Sequence, residues 1–167
     1  MRRVLLTGMS GTGKSSVIEA LAARGYKAVD TDNGWCEPAG DGRQRWREAA
    51  ISELLATEDA GALFVAGCEE NQVRFHPRFD VIILLSAPAE VLIERLAART
   101  SNPYGTTPGE LRRVLDDLAA VEPKLRAAAS HEIQTTMPLD QVAPRCSTWP
   151  AHEPRAGTVT HVRVRLF

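Results

Sequence analysis

The chain has 167 residues, of which 44% are hydrophobic and 25% are charged. These proportions are typical of one ordinary globular domain, and they exclude a collagen, a coiled coil and a chain that is disordered throughout. Lys and Arg number 20 against 21 Asp and Glu, so the net charge of −1 gives no reason to expect a nucleic acid or an anionic membrane as a partner. Apolar runs such as residues 81–85 are far shorter than the roughly 18 residues of a membrane span, and we expect a cytoplasmic protein.

Apolar runs alternate with amphipathic helical patterns along the chain. This alternation predicts an α/β domain built around a parallel sheet. The predicted strands are residues 3–7, 27–30, 62–66, 80–85 and 131–135. The predicted helices are residues 15–24, 43–57, 89–99 and 108–128, and Pro123 is expected to kink or interrupt the last of them.

The composition changes after Ala143, where residues 144–155 carry three prolines and show no helical or strand period. We therefore expect residues 143–167 to form an atypical C-terminal tail outside a main domain of residues 1–142. Within the tail, residues 158–167 alternate between inward and outward side-chain types, and this pattern suits a strand.

A glycine-rich segment between the first predicted strand and helix reads Gly8-Met9-Ser10-Gly11-Thr12-Gly13-Lys14-Ser15 and fits G-x-x-x-x-G-K-[ST]. Glycines in this pattern let successive backbone N–H groups turn toward phosphate oxygens, and the following helix adds the partial positive charge of its N-terminus. Lys14 supplies an ammonium group for the β and γ phosphates, and Ser15 supplies a hydroxyl group for Mg²⁺. The segment therefore predicts a site for nucleotide phosphates.

Two carboxylates, Asp30 and Asp32, follow the second predicted strand. Because the carboxyl ends of parallel strands meet at one edge of a sheet, we expect both to lie near the glycine-rich segment. A carboxylate there can hold Mg²⁺ through its waters or accept a proton from an attacking hydroxyl group. The alternative is that one Asp caps the next segment and the other is solvated.

Arg95 and Arg99 lie one helical turn apart and share a face of their predicted helix. Two guanidinium groups on one face can stack on a base and bind phosphate oxygens, or they can pair with surface acids such as Glu94. Residues 100–108 follow; they are polar and interrupted by Gly and Pro, which favours a mobile lid between two helices.

Residues 2–142 resemble the family of small P-loop kinases that contains nucleoside monophosphate kinases, shikimate kinase and gluconate kinase. The resemblance rests on the segments GMSGTGKS, VDTD, IERLAARTS and EIQTTMPLDQV. It implies a three-layer P-loop NTPase fold, with a five-stranded parallel sheet in the order 2-3-1-4-5, flanking helices and a short lid. It also implies that ATP lies over the glycine-rich loop.

The same resemblance implies roles for individual residues. Asp30 is similar to the Mg²⁺-associated acid of the family, and Asp32 to the residue that contacts and deprotonates the acceptor hydroxyl. Arg95 is similar to an arginine that stacks on adenine, and Arg99 to one that faces phosphate. The implied ATP-binding residues are Gly8, Ser10, Gly11, Thr12, Gly13, Lys14, Ser15, Ser16, Arg95, Arg99, Thr136 and Pro138; the metal residues are Ser15 and Asp30, and the catalytic ones Lys14, Asp32 and Arg99.

The acceptor side is expected to involve residues near the second and third strands. Trp46-Arg47 is similar to a Phe-Arg pair of shikimate kinase, which puts Arg47 beside a substrate carboxylate or phosphate. Gly67, Glu69, Glu70 and Asn71 follow the third predicted strand, where polar groups can contact the acceptor together with Asp32. An ordinary acidic loop is the alternative.

Three arginines on the predicted helix 43–57, namely Arg43, Arg45 and Arg47, favour a small anionic acceptor over a neutral sugar, or else they form a solvated basic face. The expected function is an ATP- and Mg²⁺-dependent kinase that transfers the γ-phosphoryl group to a hydroxyl or phosphate group. An ATPase or a non-catalytic nucleotide-binding regulatory protein is the alternative. A GTPase would need a base-reading NKxD-type segment, and the sequence has none.

Overall fold

The computed structural model describes residues 1–40, 42–98 and 107–148. The strands are β1 (Arg2–Thr7), β2 (Lys27–Asp30), β3 (Cys36–Pro38), β4 (Gln44–Trp46), β5 (Ala62–Ala66), β6 (Val81–Ser86) and β7 (His131–Gln134). The α-helices are α1 (Lys14–Ala23), α2 (Glu48–Ala56), α3 (Ala89–Ala97), α4 (Pro108–Ala128) and α5 (Leu139–Ser147), and a 3₁₀ helix spans Glu70–Arg78.

Five of these strands form a parallel sheet in the order β2-β5-β1-β6-β7. Counted along the chain without β3 and β4, this is the order 2-3-1-4-5, so the predicted α/β fold and strand order are confirmed. In the central strand, Leu5 is in register with Val65 of β5 and Ile82 of β6, and all three are buried. Strands covered on both faces are continuous apolar runs, which explains why the sequence identified them.

Helices cover both faces of the sheet and produce three layers. The core on one face includes Val17 and Leu21 of α1 together with Val142 of α5. The core on the other face includes Trp46 at the end of β4 and Ile51 of α2. The open edge between these layers, at the carboxyl ends of the strands, is where ligands bind in folds of this type.

A small antiparallel hairpin, formed by β3 and β4, precedes α2. The predicted helix 43–57 is therefore wrong at its beginning, because α2 starts only at Glu48 after an extended Arg47. Residues 44–46 form backbone hydrogen bonds with a partner strand instead, with Trp46 opposite Cys36. Such a partner lies several residues away, so the local helical pattern did not reveal it.

Helices α4 and α5 also differ from the sequence prediction. Helix α4 continues through Pro123 and is capped by Thr107, whose side chain accepts a hydrogen bond from the N–H of Glu110. The predicted irregular structure from residue 143 onward is wrong as far as Ser147, because α5 extends to that residue despite Pro144. Burial of three residues on one face of α5, Val142, Ala143 and Cys146, stabilises this last helix.

Two predicted segments lie outside the described residues: most of the lid, at 100–106, and the end of the tail, at 149–167. The last predicted lid residue, Pro108, is the first residue of α4. Among the helices that the structure describes, none is long and apolar enough to cross a membrane.

Candidate active site

The glycine-rich loop joins β1 to α1. It packs so closely against β6 that Gly8 leaves no room for a side chain. A Cβ on Gly8 would lie 2.3 Å from the carbonyl oxygen of Leu85 in β6. Gly11 and Gly13 adopt φ values of 86° and 90°, in the left-handed region that favours glycine. The loop therefore requires glycine at these positions, and Gly13 directly precedes the first residue of α1.

Hydrogen bonds within the loop fix its shape. The fully buried Thr12 donates its hydroxyl hydrogen to the carbonyl oxygen of Met9, at 2.8 Å. The ammonium group of Lys14 donates to the carbonyl oxygens of Gly8, at 2.7 Å, and of Met9, at 3.3 Å. The Thr12 hydroxyl therefore stabilises the loop itself, while the Lys14 ammonium is held above it by neutral acceptors.

A cleft of about 200 Å³ lies beside this loop at the carboxyl edge of the sheet. Its lining residues are Met9, Ser10, Lys14, Asp32, Cys68, Glu69, Val114 and Asp117. Three of the predicted site residues, Ser10, Lys14 and Asp32, are thus brought together at one cleft. The two lining residues on α4, Val114 and Asp117, were not predicted, because α4 lies far along the chain from the other lining residues.

The carboxylates near the cleft form an interacting group. The Oδ1 atom of Asp30 accepts the N–H of Asp32 at 3.1 Å, which holds the turn after β2. Burial raises the pKa of Glu69 to about 7; the negative charge of Asp32 contributes to this rise, and the charge of Lys14 opposes it. Asp32, Glu69 and Lys14 therefore act on one another electrostatically.

Of the two acids predicted to follow this strand, Glu69 is the one that lines the cleft. Glu70 is exposed, and its carboxylate lies 3.8 Å from the guanidinium group of Arg43. Two consecutive acids follow the strand, and the backbone conformation after β5 determines which of the two side chains enters the cleft. The sequence shows both acids, but it does not determine which of the two side chains faces the cleft.

Trp46 and Gly67 position the ends of β2 and β5. The buried Trp46 donates its indole N–H to the Thr31 hydroxyl at 2.9 Å, and that hydroxyl donates to the carbonyl oxygen of Ala66 at 2.7 Å. A Cβ on Gly67 would lie 2.4 Å from Thr31 Oγ1 and 2.8 Å from Trp46 Cζ2. Gly67 therefore allows close packing of the indole, and it does not line the cleft.

Asn71 holds the hairpin in place. Its side-chain oxygen accepts the N–H of Trp46 at 2.9 Å, and its side-chain nitrogen donates to the carbonyl oxygen of Trp46 at 3.0 Å. The same nitrogen lies 3.3 Å from the carboxylate of Glu48. The structure thus gives Asn71 a positioning contact with β4 where the sequence predicted a substrate contact.

The arginines near the hairpin are engaged away from the cleft. Arg47 donates its guanidinium N–H to the carbonyl oxygen of Gly34, and Arg45 donates to Glu37 at 2.8 Å. Because Arg45 lies in β4 and Arg47 precedes α2, Arg43, Arg45 and Arg47 do not share a helix as predicted. These contacts do not support the expected anionic acceptor, which stays a prediction.

Arg95 connects the glycine-rich loop with the end of β7. Its guanidinium group donates to the carbonyl oxygen of Gly11 at 3.3 Å, to the hydroxyl of Thr135 at 2.9 Å, and to the carbonyl oxygen of Thr135. The predicted adenine-side residues Thr136 and Pro138 follow directly and are exposed. The predicted catalytic Arg99 lies outside the described residues.

The residues predicted for Mg²⁺ offer suitable atoms but no enclosed metal site. Ser15 is exposed near the start of α1, and Asp30 is half-buried at the end of β2. Over the described ranges, no group of three or more His, Cys, Asp or Glu residues could hold a metal ion. Mg²⁺ is commonly held by one or two protein oxygens together with substrate phosphates, and this donor set fits that arrangement.

Comparisons with known proteins agree with this architecture. The chain belongs to the AAA domain family, whose profile matches residues 4–116. A search of curated proteins gives no significant match. Among solved structures, the shikimate kinase of Acinetobacter baumannii in complex with shikimate is similar over 87% of this chain and 90% of its own, with 18% identity and a TM-score of 0.64.

Two further solved structures share the fold. An unliganded sugar kinase from Janibacter sp. HTCC2649 has 21% identity over 89% of this chain and 94% of its own, with a TM-score of 0.61. A gluconokinase from Sinorhizobium meliloti 1021 has 22% identity over 87% of this chain and 89% of its own, with a TM-score of 0.59. The predicted resemblance to small P-loop kinases is confirmed at the level of the fold.

Proposed function

We propose that this protein is an ATP- and Mg²⁺-dependent phosphotransferase that acts on a small molecule. The observation that carries the proposal is that Lys14 belongs both to the glycine-rich loop and to the lining of the neighbouring acidic cleft. One side chain can therefore reach a transferred phosphoryl group between a nucleotide on the loop and an acceptor in the cleft. The kinases that share the fold support this arrangement.

The loop binds the nucleotide through backbone N–H groups and the N-terminus of α1. On nucleotide binding, the Lys14 ammonium exchanges the carbonyl oxygens of Gly8 and Met9 for phosphate oxygens, because a contact between opposite charges is stronger than one with a neutral carbonyl oxygen. Ser15 and Asp30 are the residues that would hold Mg²⁺, which supplies further positive charge at the phosphates.

Asp32 acts on the acceptor. Its carboxylate lines the cleft with Lys14, so it orients the acceptor hydroxyl and accepts its proton. The hydroxyl oxygen forms a bond with the γ phosphorus, and the bond between that phosphorus and the β–γ bridging oxygen breaks. ADP leaves with the electron pair of the broken bond.

The test measures acceptor-dependent ADP release from Mg-ATP with panels of nucleosides, nucleoside monophosphates, sugars, sugar acids and amino alcohols. With an active acceptor, Lys14→Ala lowers turnover by about 10²–10³-fold, since single electrostatic stabilisers of a transition state contribute this much. Lys27→Ala is the matched control, because Lys27 pairs with Asp59 at the opposite edge of the sheet, where β2 begins.

Full turnover by Lys14→Ala contradicts the proposed role of the loop. Nucleotide binding without turnover of any acceptor favours a regulatory binding protein. Steady ADP release that does not depend on an acceptor favours an ATPase.

A further inference from the structure

An arginine of α3 connects the glycine-rich loop to the segment after β7. The guanidinium group of Arg95 donates to the carbonyl oxygen of Gly11 at 3.3 Å and to the Thr135 hydroxyl at 2.9 Å, and it also donates to the Thr135 carbonyl oxygen. The planar guanidinium group presents its donors in a rigid fork. Contacts with several acceptors therefore fix those acceptors relative to one another.

The acceptor in the loop belongs to a peptide unit that is held at both of its polar groups. Its carbonyl oxygen, on Gly11, accepts from Arg95, and its N–H, on Thr12, donates to the carbonyl oxygen of Met9 at 3.3 Å. Gly13 and then α1 follow. The first backbone N–H groups of an α-helix have no partner within the helix and can bind phosphate oxygens. The orientation of the Gly11–Thr12 peptide therefore sets how these N–H groups face a ligand.

Helix α3 packs on the same part of the loop. A Cβ on Gly11 would lie 3.4 Å from the carbonyl oxygen of Leu92 and 3.4 Å from Leu96 Cγ. Both leucines are fully buried, so α3 has a fixed position against the loop. Because a rigid element carries it, the guanidinium group of Arg95 can restrain the loop.

The contact with Thr135 is fixed as well. The buried Thr135 donates its N–H to the carbonyl oxygen of Ser86 at 2.8 Å, and its hydroxyl lies 3.3 Å from the same oxygen. Ser86 is the last residue of β6, which pairs with β1 in the sheet. A chain of hydrogen bonds therefore leads from the sheet through Thr135 and Arg95 to the loop.

From this geometry we propose that Arg95 is a positioning residue of the phosphate site, which holds the Gly11–Thr12 peptide and the N-terminus of α1 in the orientation that binds phosphates. This inference rests on the proposed function, because the loop is a phosphate site only if a nucleotide binds there. It differs from stacking on adenine, the role that the sequence resemblance implies for Arg95. A positioning residue strengthens the binding of any triphosphate, whereas a stacking residue strengthens only that of a ligand with a base.

The experiment compares a non-hydrolysable ATP analogue with inorganic tripolyphosphate, which has the phosphates and no base. Binding of each to the full chain with Mg²⁺ is measured by calorimetry for the original protein and for Arg95→Ala. We expect Arg95→Ala to weaken both ligands by about tenfold, since the lost hydrogen bonds release the loop that both ligands use. The ratio of the two affinities is expected to stay the same, and a change in stability does not alter it.

A second substitution separates geometry from charge. Arg95→Lys keeps the positive charge but loses the planar fork, so we expect it to bind both ligands about fivefold more weakly than the original protein. Arg78→Ala is the matched control. Arg78 also donates to a backbone carbonyl oxygen, that of Ser52 at 2.9 Å, and it lies shortly before the beginning of β6, at the opposite edge of the sheet. We expect its removal to leave both affinities unchanged.

A third substitution tests the chain of hydrogen bonds. Thr135→Val removes the hydroxyl that accepts from Arg95 and keeps the shape of the side chain. Because Thr135 is buried, it acts on a ligand only through its neighbours. We expect Thr135→Val to weaken both ligands by about threefold. In the Arg95→Ala background, where the contact is already lost, it should change them by less than about twofold.

Failure of this inference is distinguishable from failure of the proposed function. A loss confined to the ATP analogue, full recovery in Arg95→Lys, or unchanged binding in Arg95→Ala overturns the positioning role and leaves the phosphate site intact. If the original protein binds neither ligand at about 10 mM, the proposed function fails and this inference fails with it. Equal losses for both ligands, in a protein that phosphorylates no acceptor, support the positioning role and contradict the kinase.

Discussion

At the scale of single residues, Gly67 controls how closely the Trp46 indole approaches the sheet. An added Cβ would lie 2.4 Å from the Thr31 hydroxyl, which is itself bonded to Ala66 and to the indole. Neither neighbour can move without breaking a buried hydrogen bond or a packing contact. We expect Gly67→Ala to lower the free energy of unfolding by about 2–3 kcal/mol, measured by urea denaturation.

Gly61→Ala is the control for this substitution. A Cβ at Gly61 meets no atom within 4 Å. The free energy of unfolding of Gly61→Ala is expected to stay within about 0.5 kcal/mol of that of the original protein. Equal stability of the two variants would show that the Thr31 and Trp46 contacts do not constrain residue 67.

Glu69 makes the stability of the fold depend on pH. Its folded pKa of about 7 lies above the ordinary value of 4.5, chiefly because of burial. As the pH rises from 4.5 to 7, the unfolded chain loses this proton first, so folding becomes less favourable until both states are ionised. After allowance for solvent screening, we expect the free energy of unfolding of the original protein to fall by about 1 kcal/mol between pH 4.5 and 7, relative to that of Glu69→Gln.

The measurement is urea unfolding at a series of pH values, compared with Glu70→Gln as a neighbouring exposed acid. Glu70→Gln is expected to follow the pH dependence of the original protein. If Glu69→Gln follows it as well, the Glu69 carboxyl does not titrate with a raised pKa.

At the scale of elements, the sheet was predictable because each strand carries its own signal. The apolar run of β6, from Val81, is buried on both faces, and the burial pattern of a central strand follows directly from such a run. The loop before α1 was predictable for a similar reason, since its glycines and Lys14 form one contiguous pattern. The class of fold and the position of the glycine-rich loop could therefore be read from the sequence.

The lining of the cleft was less predictable because its elements depend on distant partners. Strand β4 exists through pairing with β3 and through the Asn71 bonds to Trp46, and neither contact is visible in local periodicity. The same holds for Asp117, which enters the cleft from a helix far along the chain. Sequence patterns identify elements, whereas the lining of a cleft depends on how elements are packed.

At the scale of the whole molecule, side-chain contacts connect the glycine-rich loop to the outer strand and the last helix. Arg95 joins Gly11 of the loop to Thr135, which follows β7. Helix α5 starts shortly afterwards and packs on α1, the helix that begins at the loop. The thiol of Cys146 is buried in α5, so its exposure would show that this assembly of sheet and helices has opened.

The three cysteines allow this coupling to be measured, because the thiolate is the reactive form and burial suppresses it. Burial raises the pKa of Cys146 to about 12; burial, reinforced by the charge of Glu69, does the same for Cys36. Cys68 is half-buried in the cleft lining. A thiol reagent should therefore modify Cys68 first, Cys36 as the hairpin opens, and Cys146 only when α5 leaves α1.

Labelling rates measured by peptide mass spectrometry test this order, with the urea-unfolded chain as the control in which all three react alike. Because opening of α5 exposes core side chains of α1 as well, the rate for Cys146 should follow the unfolding equilibrium as urea is added. Cys36 is only half-buried and lies in the small hairpin, so its rate should change less steeply with urea. Faster modification of Cys146 than of Cys36 would mean that α5 detaches alone, and that the sheet and α1 are stable without it.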